Sequence, residues 1–449
     1  MEDRSTSLLD RLKTLRTLWR DIAGGARDAP DADLPDDDAA RLRAQMRACL
    51  EGRGGEVSAR ARAAQLGRSY CSLGETGRRR FLSILAEDFD TDPEAVNHAI
   101  ACVAAAATDR DRRAAERGLR TVLEPPRLRL LTQFNALPEG VKFLVDLRAD
   151  LMAAMGEDPG LASLEADLKA LLASWFDVGF LELRRLTWHT PAAVLEKIIE
   201  YEAVHAIAGW QDLKNRLDSD RRLYAFFHPR MPDEPLIFVE VALEKGMAAA
   251  IQPLLDEAAP LGDPHAADTA IFYSISNAQK GLAGISFGNF LIKRVVDLLA
   301  AELPNLRRFA TLSPIPGFRA WLEQRLAEDE GFGNADRKAL SRLDVPDWHL
   351  DASQADALKG PLTRLCVRYL AEAKRPRGQA LDPVAHFHLS NGARIERINW
   401  LADTSAKGLR DSAGLMVNYL YRLSDIEANH EAYRGQGKVA LSSRVKGVG

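Results

Sequence analysis

The chain is 449 residues long and 46% hydrophobic, enough for two or three domains with their own cores, which excludes a peptide scaffold or a disordered tail. Its 60 Lys plus Arg against 64 Asp plus Glu give no global positive field, so neither nucleic acid nor a membrane is an expected partner. Four cysteines without CxxC spacing (Cys49, Cys71, Cys102, Cys366), a charged start and no membrane-length apolar run predict a protein of a reducing compartment, with no disulfide framework, zinc site or signal peptide.

Aromatic residues divide the chain, with six of the 31 Phe, Tyr and Trp in the first 170 residues. In that part Leu8, Leu12, Leu15 and Ile22 keep helical spacing. The run Asp36-Asp37-Asp38 reads as a helix start answering the macrodipole rather than as a partner-binding patch. Helices are predicted around 38–50 and 77–88. Another carries Val96, Ile100 and Val103 behind Thr91-Asp92-Pro93, with Thr91 as its N-cap. Further ones follow around 109–122, 138–154 and 160–173, and residues 1–172 therefore read as a helical bundle domain.

From 173 to 449 the texture is that of a mixed α/β domain, so the fold class is α+β. Thr190-Pro191 opens a helix through about Ile207. Arg222–Phe227 and Leu236–Leu243 read as an antiparallel pair of strands joined by HPRMPDEP. A strand Thr269–Ser276, a glycine-rich loop, a helix Asn289–Leu303 and a strand Arg308–Ser313 follow, a unit of the kind that binds phosphates. The loop, QKGLAGISFG, has three glycines through which backbone N–H groups can approach a pyrophosphate, the arrangement used by acyl-CoA folds of the N-acetyltransferase type. Its Gly284-Ile-Ser286-Phe-Gly288 also matches the GxSxG nucleophile elbow. An elbow turns directly out of a strand, however, and Ser286 lies ten residues beyond Ser276, so a coincidence within a glycine-rich loop is the better reading.

Two further segments carry candidate chemistry. Ser313 ends a strand and is followed by Pro314-Ile-Pro316, which sends the chain out in one rigid direction. His386 and His388 lie two apart, on one face if the segment is extended. No third ligand has convincing spacing, so one histidine as acid or base is more economical than a metal site. Asn391, Tyr419 and Tyr421 are candidate supporting polar groups, or simply structural ones.

Several long segments together resemble the malonyl-CoA decarboxylase family: FFHPRMPDEP (226–235) with LIFVEVAL, IFYSIS (271–276), FLIKRVV (290–296) and LSPIPGF (312–318). Near the end stand PVAHFHL with NGA (383–393), RINW (397–400) and GLMVNY (414–419), so the resemblance covers roughly residues 175 to 425. It implies a helical N-terminal domain before a catalytic domain of the N-acetyltransferase (GNAT-like) fold, and conversion of malonyl-CoA to acetyl-CoA and CO2 in fatty acid metabolism without a cofactor or metal. The implied catalytic pair is Ser313 with His388. The implied CoA-binding stretch is Ala283, Gly284, Ile285, Ser286, Phe287, Gly288 and Asn289. A homo-oligomer through the helical domain is a further expectation. Animal members end in a peroxisomal Ser-Lys-Leu tripeptide, whereas this chain ends Val445-Lys-Gly-Val-Gly449 and shows no basic transit peptide, so a bacterial cytoplasmic enzyme is expected. Three rival readings are a CoA-dependent N-acyltransferase, which would need an acceptor amine, a serine hydrolase acting through Ser286, and a non-catalytic helical interaction protein, which would explain the first 170 residues but not the Ser313 and His388 motifs.

Overall fold

The computed structural model describes residues 14–20, 22–23, 29–51, 55–156, 158–285, 291–328, 333–376 and 378–447. Leu8 and Leu12 of the first predicted helix, and Ser286, Phe287, Gly288 and Asn289 of the glycine-rich stretch, lie outside them. The chain forms two compact units. One comprises the chain through Leu181 together with His228–Pro232 and Gln279–Ser286; the other comprises Glu182–Phe227, Asp233–Ala278 and the chain from Phe287 onward.

The first unit is helical. Its helices include Asp36–Leu50, Glu56–Ser72, Glu75–Glu87, Pro126–Gln133, Gly140–Ala154 and Ala162–Trp175. The few aromatics of this part are concentrated rather than scattered. Phe143 meets Trp19 edge-on with centroids 5.2 Å apart, and it meets Tyr70 edge-on at 5.6 Å. Asp36, Asp37 and Asp38 occupy the first turn of their helix. The helix Pro93–Ala105 is capped by Asp92, not by Thr91 as expected: Pro93 takes the first helical position, and the Asp92 carboxylate accepts from Glu94 N at 3.0 Å. Its apolar stripe is also not a core face. Only Ala99 is buried and Ile100 is 51% exposed, because the helix packs on the neighbouring Asp109–Val122, which buries no residue of its own.

The second unit is built on an eight-stranded sheet: β1 (Glu182–Leu186), β2 (Arg221–Phe227), β3 (Ile237–Glu244), β4 (Thr269–Asn277), β5 (Arg308–Thr311), β6 (Ser313–Pro314), β7 (Arg394–Asn399) and β8 (Met416–Tyr421). The order is β1-β2-β3-β4-β5-β8-β6, with β7 also on β8. The pair β2/β3 is antiparallel as expected, with Ala225 opposite Phe238. Among the described strands β4 and β5 are the pair that runs parallel, and the helix Leu291–Glu302 lies in the connection that such a pair requires. Leu223, Ala225, Phe227 and Phe238 pack with Val194, Leu195 and Ile198 in one core cluster. Ala242, Ile271, Tyr273, Ala310, Leu312 and Met416 belong to another.

Two expectations need correction here. The helix opened by Pro191 ends at Tyr201, six residues early, because the buried Glu202 carboxylate accepts from both Val204 N and His205 N at 2.8 Å and turns the chain; Trp210–Arg216 is a separate helix. The segment holding His386 and His388 is not extended but the helix Pro383–Ser390. Asp382 accepts from Ala385 N at 2.8 Å as its N-cap, and Pro383 stands in the first turn.

Candidate active site

Ser313 is placed by a break in a strand. The predicted strand Arg308–Ser313 divides in two, with β5 ending at Thr311 and Ser313 starting β6 opposite Val417 of β8. Leu312 N still donates to Phe272 O of β4 at 3.0 Å, but Pro314 has no N–H to extend a ladder. Thr311 and Ser313, two apart, remain neighbours: Ser313 Oγ donates to Thr311 Oγ1 at 2.8 Å. Thr311 is itself held, its Oγ1 accepting from Tyr419 N at 3.1 Å and its carbonyl from Asn418 Nδ2 at 2.7 Å.

His388 comes from the helix Pro383–Ser390, whose cap Asp382 is fully buried and accepts from Tyr369 OH at 3.3 Å. Its Nε2 lies 3.1 Å from Ser313 Oγ, its Nδ1 lies 2.8 Å from Tyr421 OH, and its ring stacks on Tyr419 with centroids 4.5 Å apart. Burial pushes the imidazole pKa down to about 3 and the Tyr421 phenol above its usual value. The ring is therefore neutral at pH 7 and the phenol keeps its proton. Proton counting then orders the chain. Ser313 gives its single hydrogen to Thr311, so the Ser313 oxygen accepts from His388 Nε2–H; the bare Nδ1 accepts from Tyr421 O–H.

His386 is not brought to this centre. Two residues along a helix are about 200° apart around its axis, and His386 Nδ1 instead meets Tyr433 OH at 2.9 Å. Asn391 is a helix-end group, its Nδ2 donating to Phe387 O at 2.8 Å. Tyr419 and Tyr421 do support the imidazole. Thr311, Asp382 and Tyr369 were missed, although the Thr-x-Ser spacing was a signal for the first of them.

In the helical unit, Ala283, Gly284 and Ile285 of the expected CoA-binding stretch are described. Buried Arg148 donates to Gly281 O at 2.6 Å and to Ala283 O at 3.0 Å, gripping the loop backbone. A Cβ on Gly281 would fall 1.7 Å from Val145 O, so only glycine allows this approach. Gly284 has φ +72°, and the position of its missing Cβ is 3.2 Å from Lys169 Nζ, a cation that sequence spacing did not reveal. Among the described residues no three His, Cys, Asp or Glu converge as a metal site, and no helix is long and apolar enough to cross a membrane.

The family model described as the malonyl-CoA decarboxylase C-terminal domain matches residues 179–448, and that of the N-terminal domain matches residues 89–176. The chain belongs to the malonyl-CoA decarboxylase family. The mitochondrial malonyl-CoA decarboxylase of Anser anser anser is 40% identical over 419 residues, covering 86% of this chain and 83% of that protein. Its counterpart in Rattus norvegicus is 42% identical over 357 residues, covering 74% and 72% respectively. Among solved structures, the malonyl-CoA decarboxylase of Rhodopseudomonas palustris is 48% identical with a TM-score of 0.87, covering 91% of this chain and 99% of that one. That of Agrobacterium vitis is 43% identical with a TM-score of 0.85, with the same coverage. Members of the malonyl-CoA decarboxylase family are carboxy-lyases, and the helical unit and mixed sheet agree with the expected fold class.

Proposed function

We propose that the chain decarboxylates malonyl-CoA with His388 as general acid and Ser313 as its hydrogen-bonded partner; the observation that carries this is the 3.1 Å approach of Ser313 Oγ to a fully desolvated imidazole. In the reaction the bond between C2 and the carboxylate breaks and CO2 leaves. The electron pair passes into the C1–C2 bond and onto the thioester oxygen, and a proton then adds to C2. Because the thioester carbonyl accepts the electrons, no step calls for biotin, thiamine or a metal, and activity should survive prolonged dialysis against EDTA.

The low pKa of His388 bears on the proton's origin. Burial disfavours imidazolium in the free protein, but an incoming carboxylate beside the ring favours it, so His388 takes up a proton together with the anionic substrate. After CO2 leaves, the negative charge sits on the enolate, and Nε2–H supplies the proton to C2, either directly or through Ser313. Preorganised donors aimed at the thioester oxygen would contribute most of the remaining stabilisation. The glycine loop with Gly284 and Lys169 suits the CoA phosphates, through close backbone approach and a nearby cation.

The test is incubation of the chain with malonyl-CoA and mass analysis of the products: acetyl-CoA and CO2 without an acceptor amine support the reading, and free CoA with malonate defeats it. We extend the proposal to a homo-oligomer through the helical unit, supported by Ile100 and Leu123 standing exposed on the hairpin of Pro93–Ala105 and Asp109–Val122. Multi-angle light scattering tests it. A cytoplasmic location is proposed with it, in keeping with four free cysteines, three of them buried, and cell fractionation decides that point.

A further inference from the structure

The decarboxylation chemistry leaves one feature of the sheet unit unused. A cavity of about 480 Å³ is lined by Arg307 before β5 and Arg308 at its start, Arg394 and Arg397 of β7, Tyr421 at the end of β8 and Arg422 beyond it, and Arg444 of the short helix Ser443–Lys446. The lining includes a single carboxylate, Glu396, which is held by Arg394 at 2.7 Å. Asp268 pairs with Arg308 at 3.2 Å and Asp425 with Arg422 at 3.7 Å. Among the described residues Arg307, Arg397 and Arg444 have no carboxylate within 4 Å.

Arg397 is the fixed element of the group. Its Nε donates to Asn418 Oδ1 at 3.0 Å, and its Nη2 donates to Met247 O at 3.1 Å and Ala248 O at 2.8 Å, so the guanidinium is oriented before any ligand arrives. Burial and the charge of Arg444 push it below the usual guanidinium range, the strain expected of cations gathered around a concavity. Anions relieve such strain, and planar guanidinium forks match phosphate oxygens two at a time. The volume lies within the range of small-molecule sites.

We infer that this cavity binds a small polyphosphate, a molecule carrying two or more phosphate groups, through Arg307, Arg397 and Arg444. The cavity is lined by residues of the sheet unit alone, whereas the described residues of the glycine loop belong to the helical unit. Of the residues the proposed chemistry uses, Tyr421 alone lines this cavity, and its hydroxyl meets His388 rather than substrate, so the cavity's ligand would be an effector and not a reactant.

Calorimetric titration of the full chain with inorganic pyrophosphate, with sodium chloride at equal ionic strength as the control, tests this directly. Saturable binding to the wild-type chain is expected. The double variant Arg307→Ser, Arg444→Ser should bind at least about tenfold more weakly while its KM for malonyl-CoA stays within about twofold. Absence of saturable binding would overturn the inference, as would an unchanged Kd in the double variant. So would competition between pyrophosphate and malonyl-CoA that the double variant abolishes, because the cavity would then hold the substrate's own phosphates. The single variant Arg307→Ser should also weaken pyrophosphate binding, and that measurement stands even if the double variant folds poorly.

Discussion

Tyr421 OH lies 2.8 Å from His388 Nδ1, and Ser313 Oγ lies 3.1 Å from Nε2, so the imidazole is held at both nitrogens. The phenol selects the tautomer, because its proton is retained and fills Nδ1. Tyr421→Phe should free the ring to hold its proton on either nitrogen. We expect kcat to fall about tenfold or more, equivalent to roughly 1.4 kcal/mol, with KM little changed. Steady-state kinetics with malonyl-CoA decides this, and an unaltered kcat would remove Tyr421 from the site. Nitrogen-15 NMR of the wild-type imidazole should independently show Nε2 protonated.

His388→Ala and Ser313→Ala should each lower kcat by about 10² to 10⁴, the usual worth of general acid catalysis, while CoA affinity is retained. His386→Ala is the internal control, since its ring faces Tyr433 instead. A more damaging His386→Ala would show that the wrong histidine carries the proton.

Folding stability should depend on the His388 titration. The unfolded group titrates near 6.5 and the folded one near 3, so between these values the unfolded chain binds more protons. The neutral imidazole's contribution is therefore complete above pH 6.5 and lost as pH falls toward 3, amounting to on the order of 3 kcal/mol by pH 4. Glu240, pushed up to about 7 by burial, acts in the opposite sense between pH 4.5 and 7. Its effect cancels in a comparison of wild type with His388→Gln. Urea unfolding from pH 7 to 4 should show a shallower decline for the variant, and equal slopes would contradict the burial argument.

Gly284→Val and Lys169→Ala should both raise KM while leaving kcat within about threefold, because they touch binding rather than the reacting atoms. The first forces a β-branched residue to φ +72° and sets a side chain against Lys169; the second removes the cation. A fall in kcat at constant KM would dissociate the loop from CoA binding.

Much of this was legible in the chain. Apolar periodicity and proline and glycine punctuation announced the helical first part and the strands β2 to β5, since both report local backbone geometry. The segments around Ser313 and His388 carried the family and named both members of the pair. The failures lay where a nonlocal group overrode a local pattern. Glu202 stopped a helix whose apolar spacing ran on, and the Ile100 stripe was amphipathic without being buried in this chain.

The sequence by itself determined the residue types available to the chemistry and the local conformations that present them. Only the tertiary structure decided which of them meet. Ser313 and His388 are 75 residues apart, and their approach depends on β6 pairing with β8 and on the helix Pro383–Ser390 turning His388, rather than His386, toward Ser313. Thr311, at the end of β5, is held beside Ser313 by Asn418 and Tyr419 of β8. Arg148 reached the loop at Gly281 across 133 positions, and arginines from 307 to 444 converged on one cavity. Periodicity encodes which way a side chain faces within its own element. The distance between two elements is set by the packing of the whole core, and no single segment carries that information.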